Sequence, residues 1–224
     1  MRTPKELVTD MELEDAVLAE LGWDPSVDGT GVDVGARNGA VTLTGHVPSY
    51  RDKDAAVRAV ERVRGVRAVA DDLEVALPKH TVRRDSELAA AIAQARSATG
   101  RIPDTVGVEV SKGYVTLRGT VRRSHERQDA IRAIRDLEGI RGIADRIEVV
   151  PLVAASPEEV ERRIAEELAR MADLDAASIS VEAHEGAVRL RGEVHSLAER
   201  RLVERAAASA PGVISVDNDR FVAR

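Results

Sequence analysis

Four arginines, Arg118, Arg122, Arg123 and Arg127, fall within ten residues of one another. Guanidinium groups at that density suit the grip of phosphate or carboxylate groups through paired, charge-assisted hydrogen bonds. They lie in the one net-basic stretch of the chain. Residues 81–151 carry 13 Lys and Arg against 10 Asp and Glu, whereas residues 1–80 carry 10 against 15 and residues 152–224 carry 10 against 14. The counterpart for such a cluster is an anionic lipid head group, an acidic protein surface, or the acidic parts of the same chain on either side. If the cluster opens a helix, free N–H groups add to the attraction.

Other chemistries find less material. The histidines, His46, His80, His125, His184 and His195, have no HExxH or comparable ligand spacing, so no metal site is expected. Cysteine is absent, which excludes disulfides, thiolate ligands and a thiol nucleophile. Ser124 and His125 are adjacent, but neighbouring side chains point in different directions and no orienting acid can be named. Gly139-Ile-Arg-Gly142 has the spacing of an RNA-binding GxxG loop. Its counterparts, Gly65-Val-Arg-Ala68 and Gly212-Val-Ile-Ser215, keep only the first glycine, which reads as a helix end entering a strand. With 2% aromatic residues and a formal charge of −6, no base-stacking platform and no nucleic-acid partner are expected. No catalytic residue and no cofactor are expected, so the protein reads as a non-enzyme.

The elements that position these residues come from repetition. Gly39-Ala-Val-Thr-Leu-Thr-Gly45-His-Val47 recurs as Gly113 to Val121 and as Gly186 to Val194, and the glycines Gly45, Gly119 and Gly192 are 74 and 73 residues apart. Gly65, Gly139 and Gly212 each follow twenty residues later. Three tandem modules are therefore expected, at 1–78, 82–151 (the basic one) and 155–224, joined near Leu77–Thr81 and Pro151–Ala155. Each opens with a helical stripe: Leu13, Val17, Leu21; then Leu88, Ile92, Ala95; then Val160, Ile164, Leu168. Thr9 with Glu12 and Ser156 with Glu159 have capping-box spacing, and Pro157 suits a first helical position.

Two short alternating runs follow, joined by Asn38-Gly39, Lys112-Gly113 or Glu185-Gly186, as in a hairpin turn. A second helix, opened by Ser49, Ser124 or Ser196, is closed by a left-handed cap at Gly65, Gly139 or Gly212. A last alternating strand completes the unit. The fold class is α+β: three tandem αββαβ modules, each a three-stranded mixed sheet covered on one face by two helices. In the third copy Arg220 stands where Leu73 and Ile147 stand, and a one-residue shift or bulge would bring Phe221 there instead. Trp23, ending the first helix, is expected to pack within its module or on a neighbour; Tyr114 is expected to be exposed and Tyr50 to flank a helix start.

The hairpin pattern, followed by a helix and a Gly-Val-x-x-Val-x-(Asp/Asn) strand, resembles the BON domain, with all three copies matching at Gly39–Val75, Gly113–Val149 and Gly186–Val222. The resemblance implies a bacterial source and a non-enzymatic module that binds phospholipid or membrane surfaces or attaches to envelope complexes. It rests on glycines and core aliphatics, so it carries over no functional side chain. The expected function is a non-catalytic scaffold that contacts anionic phospholipid through Arg118, Arg122, Arg123 and Arg127. The alternatives are a cytosolic, stress-associated protein-interaction module without lipid binding, and a small-ligand or ion site between modules. Residues 1–20 lack the apolar core of a secretion signal, and no segment approaches a membrane span. The expected location is the cytoplasm, at most peripheral to a membrane.

Overall fold

The computed structural model describes residues 9–150, 156–171, 174 and 178–223, with 219–223 described by backbone alone. The second joint, Pro151–Ala155, and the Phe221 side chain lie outside the described residues. The first module comprises α1 (Asp10–Trp23), β1 (Val32–Arg37), β2 (Ala40–Val47), α2 (Tyr50–Arg62) and β3 (Ala68–Val75). The second comprises α3 (Asp85–Thr99), β4 (Val106–Ser111), β5 (Tyr114–Val121), α4 (Ser124–Arg135) and β6 (Gly142–Val149). The third comprises α5 (Pro157–Ala169), β7 (Ser180–His184), β8 (Ala187–Val194), α6 (Leu197–Ser209) and β9 (Ser215–Ala223). Among the described residues no helix is long and apolar enough to cross a membrane.

Each module holds its own three-stranded sheet with the second strand in the centre. That strand is antiparallel to its hairpin partner and parallel to the strand after the second helix, because the helix returns the chain to the starting end. Alternation along the central strand buries Val41, Leu43 and Val47 in the first module beneath Leu13, Val17 and Leu21 of α1 and Ala56, Ala59 and Val60 of α2. Equivalent sets close the other two cores. The opposite face of each sheet carries polar residues and stays open. This is the α+β arrangement expected from periodicity.

The turns and caps show where local chemistry decides. Asn38, Lys112 and Glu185 take positive φ, each followed by a positive-φ glycine, as a two-residue hairpin turn requires. Gly119, at φ 135, has no room for a side chain, since a Cβ there would run into the carbonyl oxygen of Thr105. Thr9 and Glu12 form the reciprocal capping box, whereas Ser156 accepts from the Glu159 N–H and receives nothing back. Two expectations need correction. The cap of α4 is Arg123, with Ser124 one place inside the helix, because the repeat aligns Arg123 with Ser49 and Ser196. Gly65, Gly139 and Gly212 are left-handed as expected, but each lies three or four residues past its helix, in the turn that leads to the last strand.

In the third module the register slips between Arg189 and Arg191, and the extra residue in β9 sets Phe221 opposite Gly192. Leu73 and Ile147 hold that position opposite Gly45 and Gly119. The bulge thus restores the register that Arg220 would have broken.

The modules are not beads on a string. The second helix α6 meets both α2 and α4, α2 reaches α4 through an ion pair, and equivalent positions are reused in these contacts. Tyr50, the first residue of α2, packs on the core of the second module, and Leu197, the first residue of α6, packs on the core of the first. Four residues further along, Asp54 Oδ2 pairs with Arg135 Nη1 at 3.0 Å, and Arg201 Nη2 pairs with Glu61 Oε1 at 2.6 Å. Each pair joins the fifth residue of one second helix to the twelfth residue of the next. The same two positions on α4 and α6 carry Gln128 and Ala208, which cannot form an ion pair.

Glu61 is 5% exposed. Burial pushes its carboxyl above the ordinary carboxylate range against the opposing pull of Arg201, and Asp54 and Glu204 push the same way as burial. A raised folded-state value contributes stability below the ordinary carboxylate range, and that contribution is lost as pH rises through the raised value. Glu61→Gln is therefore expected to unfold, in thermal melts at neutral pH, no lower than the parent, with the two curves converging below pH ~4. Arg201→Ala strands the buried carboxylate and is expected to cost about 1–3 kcal/mol at neutral pH and less in acid.

Candidate functional site

The four arginines of the basic cluster divide into three settings. Arg118 lies on the open face of the second sheet, where the parallel register places it beside Arg146 of β6. Glu109 of β4 approaches Arg118 only to 3.9 Å, and Arg146 has no ion-pair partner among the described residues. Like charges side by side on adjacent strands repel. At the corresponding place the first module has Thr44 beside Asp72. In the third, Arg191 is matched by Glu182 at 2.9 Å and Arg189 by Asp217 at 3.1 Å. Among the described side chains at this place, those of the middle sheet alone have no carboxylate closer than 3.9 Å.

Arg122 and Arg123 follow the end of β5 and begin α4; both are exposed, and neither side chain has an ion-pair partner among the described residues. Glu126 already occupies the two backbone N–H groups that lead into this helix. Glu126 Oε2 accepts from the Arg122 N–H at 2.9 Å and from the Arg123 N–H at 3.2 Å. An arginine at the cap position has no side-chain acceptor to offer the first helical N–H groups, while Glu126, the third helical residue, accepts from the cap N–H. An external anion at this corner meets the two arginine side chains with the Glu126 carboxylate beside them.

Arg127 has a different duty. Its Nε donates to Asp145 Oδ2 of β6, and Asp145 Oδ1 accepts from the Ile147 N–H at 3.0 Å. The first module repeats the clip with Lys53 and Asp71 at 3.2 Å, where Asp71 likewise accepts from the Leu73 N–H. In the third, Arg200 donates to the Asn218 carbonyl at 3.3 Å. The Asp/Asn that closes the repeated strand motif is thus the acceptor of a cation on the second helix. The signal was in the sequence, since Lys53, Arg127 and Arg200 occupy one repeat position. Arg146, by contrast, could be added to the cluster only once the strand register was known.

Catalytic alternatives gain nothing from the geometry. Ser124 and His125 occupy consecutive positions of the first turn of α4, and Gly142 begins β6 and does not complete a loop. Among the described residues no group of three His, Asp or Glu side chains could hold a metal ion. The hollow between α3 and β4, about 440 Å³, is lined by Ala89, Ile92, Val108 and Val110 with Asp85 and Arg96 at its ends. Asp85 already accepts from the Lys112 and Gly113 N–H groups. Tyr114 is exposed and Tyr50 begins a helix, both as expected. Trp23 is a correction: it is 86% exposed and packs on neither its own module nor a neighbour.

The family model of the BON domain matches residues 9–76, 84–151 and 156–222. No curated protein matches the sequence. Among solved structures, two chains similar to this one come from Chlamydia trachomatis. One is CdsD, a structural protein of the type III secretion system, at 15% identity over 94% of this chain and 91% of that chain. The other is the C-terminal domain of CdsD, at 15% identity over 100% of each chain. The TM-score is 0.26 in both cases, and no property passes from them to this chain.

The division among the arginines is open to a direct check. Arg127→Ala is expected to lower the free energy of urea unfolding by about 1 kcal/mol through loss of a half-exposed clip. Arg122→Ala is expected to change it by less than about 0.5 kcal/mol.

Proposed function

The chain belongs to the BON domain family, and from that premise we propose that it is a non-catalytic scaffold whose middle module adsorbs to anionic lipid surfaces. The observation that carries the proposal is the set of cations left without close carboxylates, Arg118, Arg122, Arg123 and Arg146, on a module flanked by two acidic ones. Arg127 adds its charge from within the clip to Asp145. Magnitude decides what kind of contact this is. Each cation at an anionic leaflet contributes about 1 kcal/mol. Four of them give roughly 4 kcal/mol, an affinity near millimolar. That suits reversible adsorption that salt weakens and excludes stable anchoring by this cluster alone. The acidic modules on either side orient the approach, since their net charge is repelled while that of the middle module is attracted.

Co-sedimentation with phosphatidylcholine vesicles, with and without phosphatidylserine, tests the proposal. Pelleting is expected only with phosphatidylserine, is expected to fall as salt rises, and is expected to be lost in Arg122→Glu/Arg123→Glu and in Arg118→Glu/Arg146→Glu. Pelleting that survives both charge reversals, or that is equal on neutral vesicles, would sink it.

A further inference from the structure

The first helix of each module presents the same positions to solvent, and one of the three departs from the others. On α1 the outward positions include Met11 at 73% exposure, Leu18 at 49% and Trp23 at 86%. The repeat-equivalent residues are Ser86, Ala93 and Ala98 on α3, and Glu158, Ala165 and Arg170 on α5. The inward residues Leu13 and Val17 match Leu88 and Ile92 on α3 and Val160 and Ile164 on α5, and Leu21 matches Leu168 although α3 has Arg96 there, so the three helices differ chiefly in their outward positions. Met11 and Leu18 are seven residues apart and share a stripe of the helix. Ala19 and Gly22 fall between Leu18 and Trp23 around the helix, with the exposed carboxylate of Asp15 one turn before them on the same face.

The rim of this face selects its partner. From Asp10 to Asp24 the chain holds six carboxylates and no Lys or Arg. Arg62 neutralises Glu20 and Asp24, at 2.8 and 2.6 Å. Asp10, Glu12, Glu14 and Asp15 have no cationic partner among the described residues, although Glu12 closes the helix cap and Asp10 and Glu14 accept from the Asn38 and Ala36 N–H groups. An anionic membrane or a nucleic acid is repelled by that rim, and two α1 faces brought together would set like charges opposite each other. A segment with apolar residues on one side and Lys or Arg beside them satisfies both features at once. Trp23 adds an exposed ring face for a cation. We propose that the outer face of α1 docks a cationic amphipathic helix of a partner protein, a contact separate from the lipid-facing cluster of the middle module.

Trp23 is the only tryptophan of the chain, so its emission reports on this face alone. The probe is a synthetic five-turn peptide, about 18 residues, with Leu on one helical face and Lys on the rest, titrated into the full chain. The expected result is a saturable blue shift of Trp23 with reduced acrylamide quenching. Met11→Ser/Leu18→Ala, which installs the residue types of α3 on an exposed surface, is expected to weaken binding about tenfold or more with circular dichroism and melting unchanged. The proposal is overturned by the absence of a saturable shift or by undiminished affinity in that double variant. It is equally overturned by an equal shift with a Lys/Ser peptide of the same charge, with phosphatidylserine vesicles, or on concentrating the protein without peptide.

Discussion

The second helix of each module has to satisfy two surfaces, and the rest of the molecule depends on its doing so. One stripe of small and branched residues, Ala56, Ala59 and Val60 in α2, closes the module's own sheet. Other positions meet the neighbouring modules, through Tyr50 and Leu197 on their cores and through Asp54, Glu61, Arg135 and Arg201 between second helices. A helix with two committed faces leaves little choice over where the sheet points. With the second helices turned toward one another, the cores close against them while the open sheet faces and the first helices remain accessible.

The seams between the second helices are equivalent in position but not in chemistry. One places Asp on the leading helix and Arg on the following one, the next reverses the signs, and the last has neither charge. Reversing the signs discriminates against wrong neighbours, because a module set in the wrong place would face like charge or no charge. The energetic contribution of each pair is small where its partners are half exposed. Glu61 differs because its carboxylate is buried, so the arginine opposite it offsets a desolvation cost that would otherwise stand uncompensated.

Most of the architecture was legible in the sequence because backbone conformation is set by short-range rules. The Asn38-Gly39 turn, the alternation through Val41, Leu43 and Val47, and the four-residue spacing of Leu13, Val17 and Leu21 each specify an element without knowledge of the others. Even the bulge near Phe221 could be anticipated, since an arginine at a core register is unacceptable. What the sequence concealed depends on which strands and helices lie side by side. Arg146 joins Arg118 only through the parallel register of β5 and β6. Ser124 is a plausible cap by residue type, yet the repeat sets Arg123 there, and Glu126 does the capping. Trp23 reads as a core residue because large aromatics usually are, and only the burial of the opposite face of α1 shows that it looks outward.

The first joint, residues 76–84 between β3 and α3, holds its two modules within reach of each other at all times. A short tether of this kind gives the joined surfaces an effective concentration in the millimolar range. An interface formed inside one chain therefore needs far less intrinsic affinity than the same interface between separate subunits. The seam this joint favours is the one between α2 and α4, where Asp54 meets Arg135. The tether also leaves the copies free to diverge on their outer surfaces, one basic and another acidic and apolar, without loss of assembly.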